Sequence, residues 1–206
     1  EACNDMGARF KEFHDAMSDA IVEAHDQWRM AAGFTGLQIA AVAAIGTPGC
    51  LVGPDLEALI KAASPVAGMS GQEAAYRDAV AAGIGTCFKA WQDGVTVPGL
   101  PWYPAFAAMP SAVAPPTPNV PMPLITCISA GMIQLCVPGI MQNMMKLNLD
   151  PGVRDKDEDE KFMALFGAIE ATMIVGFAMW LATQQVTNVM GTDPVPSFAP
   201  PVAPVG

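Results

Sequence analysis

The sequence predicts a mainly α-helical domain of about five helices, with long Pro-rich extended arms and little or no β-sheet. Three observations predict it. Residues 4–32 place Phe10, Phe13, Met17, Ala20, Ile21, Ala24 and Trp28 at three- and four-residue steps, the period of one helix face. Residues 162–192 are apolar over a helix-length run and carry a single charge, Glu170. Of the 19 prolines, nine fall in 94–123 and five in 193–206, which marks two tracts that cannot be helical.

Taken in order, the first helix keeps Asp15, Asp19, Glu23 and Asp26 on its wet side, and Gly33 and Gly36 end it. Residues 37–45 (LQIAAVAAI) are short and apolar before Gly46-Thr47-Pro48-Gly49, and predict a buried extended element. Pro54 near a first helical position opens a short helix to about Ala63. Ser70 and Glu73 have capping-box spacing and open a helix to about Gln92. Ala75, Ala79, Ala82, Gly83 and Thr86 give that helix a small-residue face, which admits close approach of another element. Residues 1–93 therefore form an N-terminal helical part.

Residues 94–123 read as an extended arm. Its prolines exclude helix and central strand, yet Trp102, Tyr103 and Phe106 are too apolar for a solvated linker. Residues 124–192 read as an apolar helical hairpin, kinked or broken near Pro138-Gly139 and turned by the charged stretch 150–161. Residues 193–206 form a second Pro-rich tail carrying Phe198.

Composition bounds the function. The chain has 206 residues, 15% of them charged and 52% hydrophobic, with a formal net charge of −10. Mean hydropathy is +0.33 and the isoelectric point about 4.4. Disorder needs the opposite composition. Duplex binding needs clustered cations, so no direct nucleic-acid binding is expected. The charges are also segregated. Residues 1–29 and 150–161 hold 13 of the 20 acidic groups, and residues 95–145 hold no charged residue or histidine. A monomer in water needs more surface charge than this.

No catalytic motif emerges. The cysteines at 3, 50, 87, 127 and 136 contain no CxxC pair and predict buried free thiols. His14 and His25 lie three helical turns apart, roughly 16 Å, too far to share a metal. The methionines fall on apolar helices, where Met fills gaps. Gly83-Ile84-Gly85 lacks the third glycine of a dinucleotide loop, since position 88 is Phe88. No enzyme activity, cofactor or metal is expected.

Glu170 is the exception among these bland features. Phe166, Met173 and Ile174 surround it one turn away, so it is a candidate buried charge. Such a carboxylate must be paired, for example with Lys146, or cap another element, or serve inside a membrane.

Two functional expectations follow. The first is a non-enzymatic structural subunit of a large self-assembling complex, as in a virus or phage particle. Its partners would be copies of itself and other structural subunits, and Trp102, Tyr103, Phe106 and Phe198 would anchor its arms. The alternative is a small integral membrane protein with a helical hairpin over 124–145 and 163–183, since about 20 apolar residues cross a bilayer.

Overall fold

A computed structural model of the chain describes residues 2–40, 43–101, 117–157 and 159–191. Helix dominates, but the expectation of little or no β-sheet is corrected: the fold is mainly α with some β. In chain order the elements are helix α1 (Ala2–Ala31), strands β1 (Gly33–Phe34), β2 (Gln38–Ala40), β3 (Ala43–Gly46) and β4 (Leu51–Val52), and helices α2 (Leu56–Ala62) and α3 (Gly71–Gly94). Strands β5 (Val95–Pro101), β6 (Thr117–Pro118), β7 (Met122–Pro123) and β8 (Ile128–Ser129) follow. Helices α4 (Met132–Cys136), α5 (Ile140–Asn148), α6 (Pro151–Arg154) and α7 (Phe162–Thr183) precede the last strands, β9 (Gln185–Val186) and β10 (Met190–Gly191).

The chain divides into two compact units. The first comprises residues 1–31, 53–89 and 137–173, and the second 32–52, 90–136 and 174–206. The first unit is helical. Met17, Ala20, Ala24 and Trp28 of α1 are buried with Leu56 and Ile60 of α2, Ile84 and Phe88 of α3, Met141 and Met145 of α5, and Phe166 of α7. Trp28 meets Phe88 edge-on at 4.8 Å between ring centres, and Tyr76 meets Phe13 and Phe166 in the same manner. Asp55 caps α2 by accepting from the Glu57 N–H at 3.1 Å, and Pro54 lies before the cap rather than inside the helix. Glu23 is not simply wet: it accepts hydrogen bonds from the Ser64 hydroxyl at 3.0 and 3.2 Å, which ties α1 to the turn after α2.

The second unit holds the strands. Its main sheet is antiparallel in the order β2-β3-β5-β8. The apolar stretch 37–45 is thus two strands that pair with each other, Gln38 opposite Ile45. Strand β5 overturns the reading of 94–123 as wholly free of central strand. It contains Pro98 and Pro101 and lies between β3 and β8. The reason is local. Gly46 faces Val97 and Ala44 faces Leu100, so Pro98 and Gly99 oppose Ile45 alone in a bulge. On the other edge β8 reaches only Val95 and Thr96. The missing Pro98 N–H therefore removes no ladder bond.

The 124–145 stretch is not one helix. It comprises a 3-10 turn at Leu124–Thr126, then β8, α4, and α5 after a break at Val137 to Gly139. Ser129 explains part of this. Its buried hydroxyl donates to the Trp91 carbonyl at 2.7 Å, at the end of α3, and accepts from the Gly131 N–H at 3.1 Å. Trp91 in turn meets Phe177 and Trp180 of α7 edge-on. Helix α7 ends at Thr183, short of residue 192, because Gln185 to Gly191 pairs as strand.

The small-residue face of α3 does admit neighbours. A Cβ on Gly83 would lie 2.5 Å from Met145 Cγ and 2.9 Å from the Met145 backbone nitrogen. One on Gly85 would lie 3.0 Å from the Glu57 nitrogen. Backbone cannot swing aside as a side chain can. Gly83→Ala should therefore destabilise the first unit by about 1–3 kcal/mol, through separation of α3 and α5. Gly7, inside α1 with nothing within 4 Å of its would-be Cβ, supplies the contrast. Gly7→Ala should stabilise by about 0.5–1 kcal/mol. Denaturant melts of the two variants should shift in opposite directions.

Candidate functional site

Two constellations are built by the fold, one in each unit. In the first, α7 carries Glu170, which is only 4% exposed. Helix α5 begins beside it. Its N-cap is Gly139, in the left-handed region at φ 91°, so no side chain at that position can satisfy the first N–H groups. Glu170 supplies the acceptor from another helix. Its Oε2 accepts from the Gly139 N–H at 2.8 Å, and its Oε1 from Met141 and Gln142 N–H at 3.0 and 3.2 Å. Three oriented N–H groups and the positive end of the helix dipole thus solvate a buried carboxylate. Gln142 returns the contact, donating through Nε2 to the Met163 carbonyl at 2.7 Å. Lys146 pairs instead with Glu160 at 2.6 Å.

The charge is felt nearby. Burial pushes the Cys87 thiol up to about 11, and the Glu170 carboxylate adds to the shift. Burial likewise pushes Cys127 up to about 11, with a contribution from Cys50. Neither thiol is ionised near neutrality, so neither is primed as a nucleophile. Cys50, Cys87, Cys127 and Cys136 are all free. Among the described residues, no group of three or more His, Cys, Asp or Glu is placed to hold a metal ion.

In the second unit, residues 117–124 run antiparallel to 184–191. Met190 and Gly191 face Pro118 and Thr117, while Val186 and Gln185 face Met122 and Pro123. Both ladders keep one register. Where they are interrupted, Asn119 fills the gap. It is 3% exposed. Its backbone N–H donates to the Val189 carbonyl and its Oδ1 accepts from the Val189 N–H, both at 3.0 Å. Its Nδ2 donates to the Val186 and Val120 carbonyls at 2.9 and 2.8 Å. The buried amide is thus satisfied on both its donor and acceptor sides. Leu124 N–H reaches the Gln184 carbonyl at 2.9 Å. Pro118 and Pro123 stand next to the donors Asn119 and Leu124, not in their places. Proline here removes no bond the ribbon uses.

Of the residues singled out from sequence, Glu170 lies at the first constellation. The proposed anchors Trp102, Tyr103, Phe106 and Phe198 lie outside the described residues. Asn119 was missed. Its signal was a lone amide in an apolar, proline-rich tract, where only backbone partners are on offer. His14 contacts Asp15 at 3.5 Å, and His25 packs on Trp28 and Phe88. Helix α7 is the one helix among the described residues long and apolar enough to cross a membrane, with a third of its most apolar window buried. Comparison with protein families, curated proteins and solved structures found no match to this chain.

Two measurements test these assignments. Glu170→Ala leaves three N–H groups without their acceptor and should cost about 2–4 kcal/mol. Glu170→Gln keeps the shape but turns an amide NH₂ toward one of the three donors, and should cost about 1–2 kcal/mol. Equal melts for all three proteins would contradict the cap. His25 gives a pH dependence. Burial lowers its pKa, opposed by Asp26 and reinforced by Arg29. Its unfolded value is near 6.5. As pH falls through that value the unfolded chain takes up the proton first, so stability declines below about pH 6.5. His25→Phe should flatten that decline in thermal melts between pH 7 and 5.

Proposed function

We propose that this chain is a non-enzymatic structural subunit that assembles with copies of itself into a larger complex. The observation that carries the reading is the outward face of α7. Ala164, Ala168, Ala171, Thr172, Val175, Met179 and Ala182 are exposed, Val175 at 58% and Met179 at 67%. In 22 residues the single charge, Glu170, is turned inward. An exposed helix of a soluble monomer carries charge on its outer face, and a helix apolar on all sides calls for cover on all sides. Ile125, Ile128 and Ile133 add exposed apolar surface in the second unit. The proposed setting is a virus or phage particle, on the compositional grounds given above.

Lipid is the second candidate cover, because 22 residues with a mean hydropathy of 1.8 suffice to span a bilayer. A hairpin partner over 124–145 is no longer part of that reading, since those residues are divided among a turn, a strand and two helices. Glu170 also weighs against it. The carboxylate lies near mid-helix and bonds the start of α5, whose exposed Asn143 and Asn148 would then lie at membrane depth.

Light scattering with and without mild detergent separates the readings. The expected result is a discrete mass many times 21.5 kDa in plain buffer. Val175→Lys with Met179→Lys should lower that mass while leaving helical content unchanged, because both side chains are exposed. A detergent requirement would favour the bilayer, and a stable monomer in buffer would overturn both readings.

A further inference from the structure

The ribbon in the second unit contains an acceptor strand and a donor strand. The donor, residues 184–191, follows α7 with no slack: the Gln184 N–H still donates to the Trp180 carbonyl at 3.1 Å while its own carbonyl already accepts from Leu124. A connection without slack is one feature that favours exchange of the element after it between identical chains. The donor is held by backbone hydrogen bonds, by Asn119 and by burial of Val186 and Val189. An identical strand from another copy can reproduce all of these. The donor also contains Asn188 at φ 59°, in the left-handed region that Asn tolerates better than most side chains, which puts a local bend in the strand. Among the described residues the acceptor pairs with one strand. Pro118, Pro121 and Pro123 leave its other edge without a regular row of donors, and the Val120 N–H there is taken by the Pro101 carbonyl at 2.7 Å.

We infer that residues 184–191 are an exchangeable strand, seated in the 117–124 acceptor of a second copy when the protein assembles. This inference rests on the assembly reading above and deepens it: exchange would join copies through a closed, register-specific contact. Asn119 is then the register key. It admits a strand only where a residue at the position of Val189 offers both N–H and C=O and one at Val186 offers a carbonyl.

The test uses the full chain carrying Pro123→Cys and Gln185→Cys. These two positions face each other across the ribbon and both are exposed. Light and ¹⁵N-labelled double variants are mixed in denaturant, refolded together, oxidised with glutathione disulfide and separated by mass. Peptide mass spectrometry then identifies the 123–185 link. Links joining a light to a heavy peptide in the assembled fraction are the expected result. Only same-isotope links in an assembled fraction would overturn exchange while leaving assembly intact. A sample that stays monomeric, with same-isotope links, would overturn both. No 123–185 link in any fraction would deny the ribbon itself, and the proposal with it.

Discussion

The first unit depends on the meeting of Glu170 with the start of α5. Each partner is unfavourable alone. A carboxylate in an apolar helix loses its water, and a helix that begins at a glycine leaves its first N–H groups without side-chain acceptors. Placed together, each satisfies the other. The contact fixes where α5 begins against α7, and so where Met141 and Met145 enter the core. Met145 then lies against Gly83 of α3, where even a methyl group would collide with backbone. A single charge thus sets the spacing of three helices, and its field reaches the Cys87 thiol.

The second unit solves a different problem with proline. A strand with prolines at 118, 121 and 123 cannot offer a full row of donors along both edges. It donates to 184–191 at Asn119 and Leu124 and away from it at Val120, and Asn119 adds its side chain where the ladder breaks. The same economy appears in β5, where Pro98 occupies a bulge beyond the reach of β8. In both places the prolines confine a strand to a defined set of partners without abolishing it. That confinement also limits open-ended strand addition.

Charge is concentrated where it is paired locally. Lys146 meets Glu160, Lys161 meets Asp159, Arg154 meets Asp155 and Arg29 meets Asp26. These exposed pairs add little stability. Their effect is on distribution, since they leave the outward side of α7 and the isoleucines around β8 without charge.

The sequence by itself determined the periodic elements. The α1 face of Met17, Ala20, Ala24 and Trp28 is buried, and the close approach at Gly83 is real, because both follow from local spacing on one helix. It also marked Glu170 as needing a partner, since an apolar surround makes a charge conspicuous. It did not reveal the partner. The N–H groups of Gly139, Met141 and Gln142 come from backbone, which has no signature in side-chain chemistry. Nor did it reveal the sheet. The pairings of Gly46 with Val97, and of Asn119 with Val186 and Val189, join residues tens of positions apart. Proline's lost N–H does not by itself exclude strand, because its effect depends on which edge faces a neighbour. Only the tertiary structure decides that, because edges exist only once strands have met.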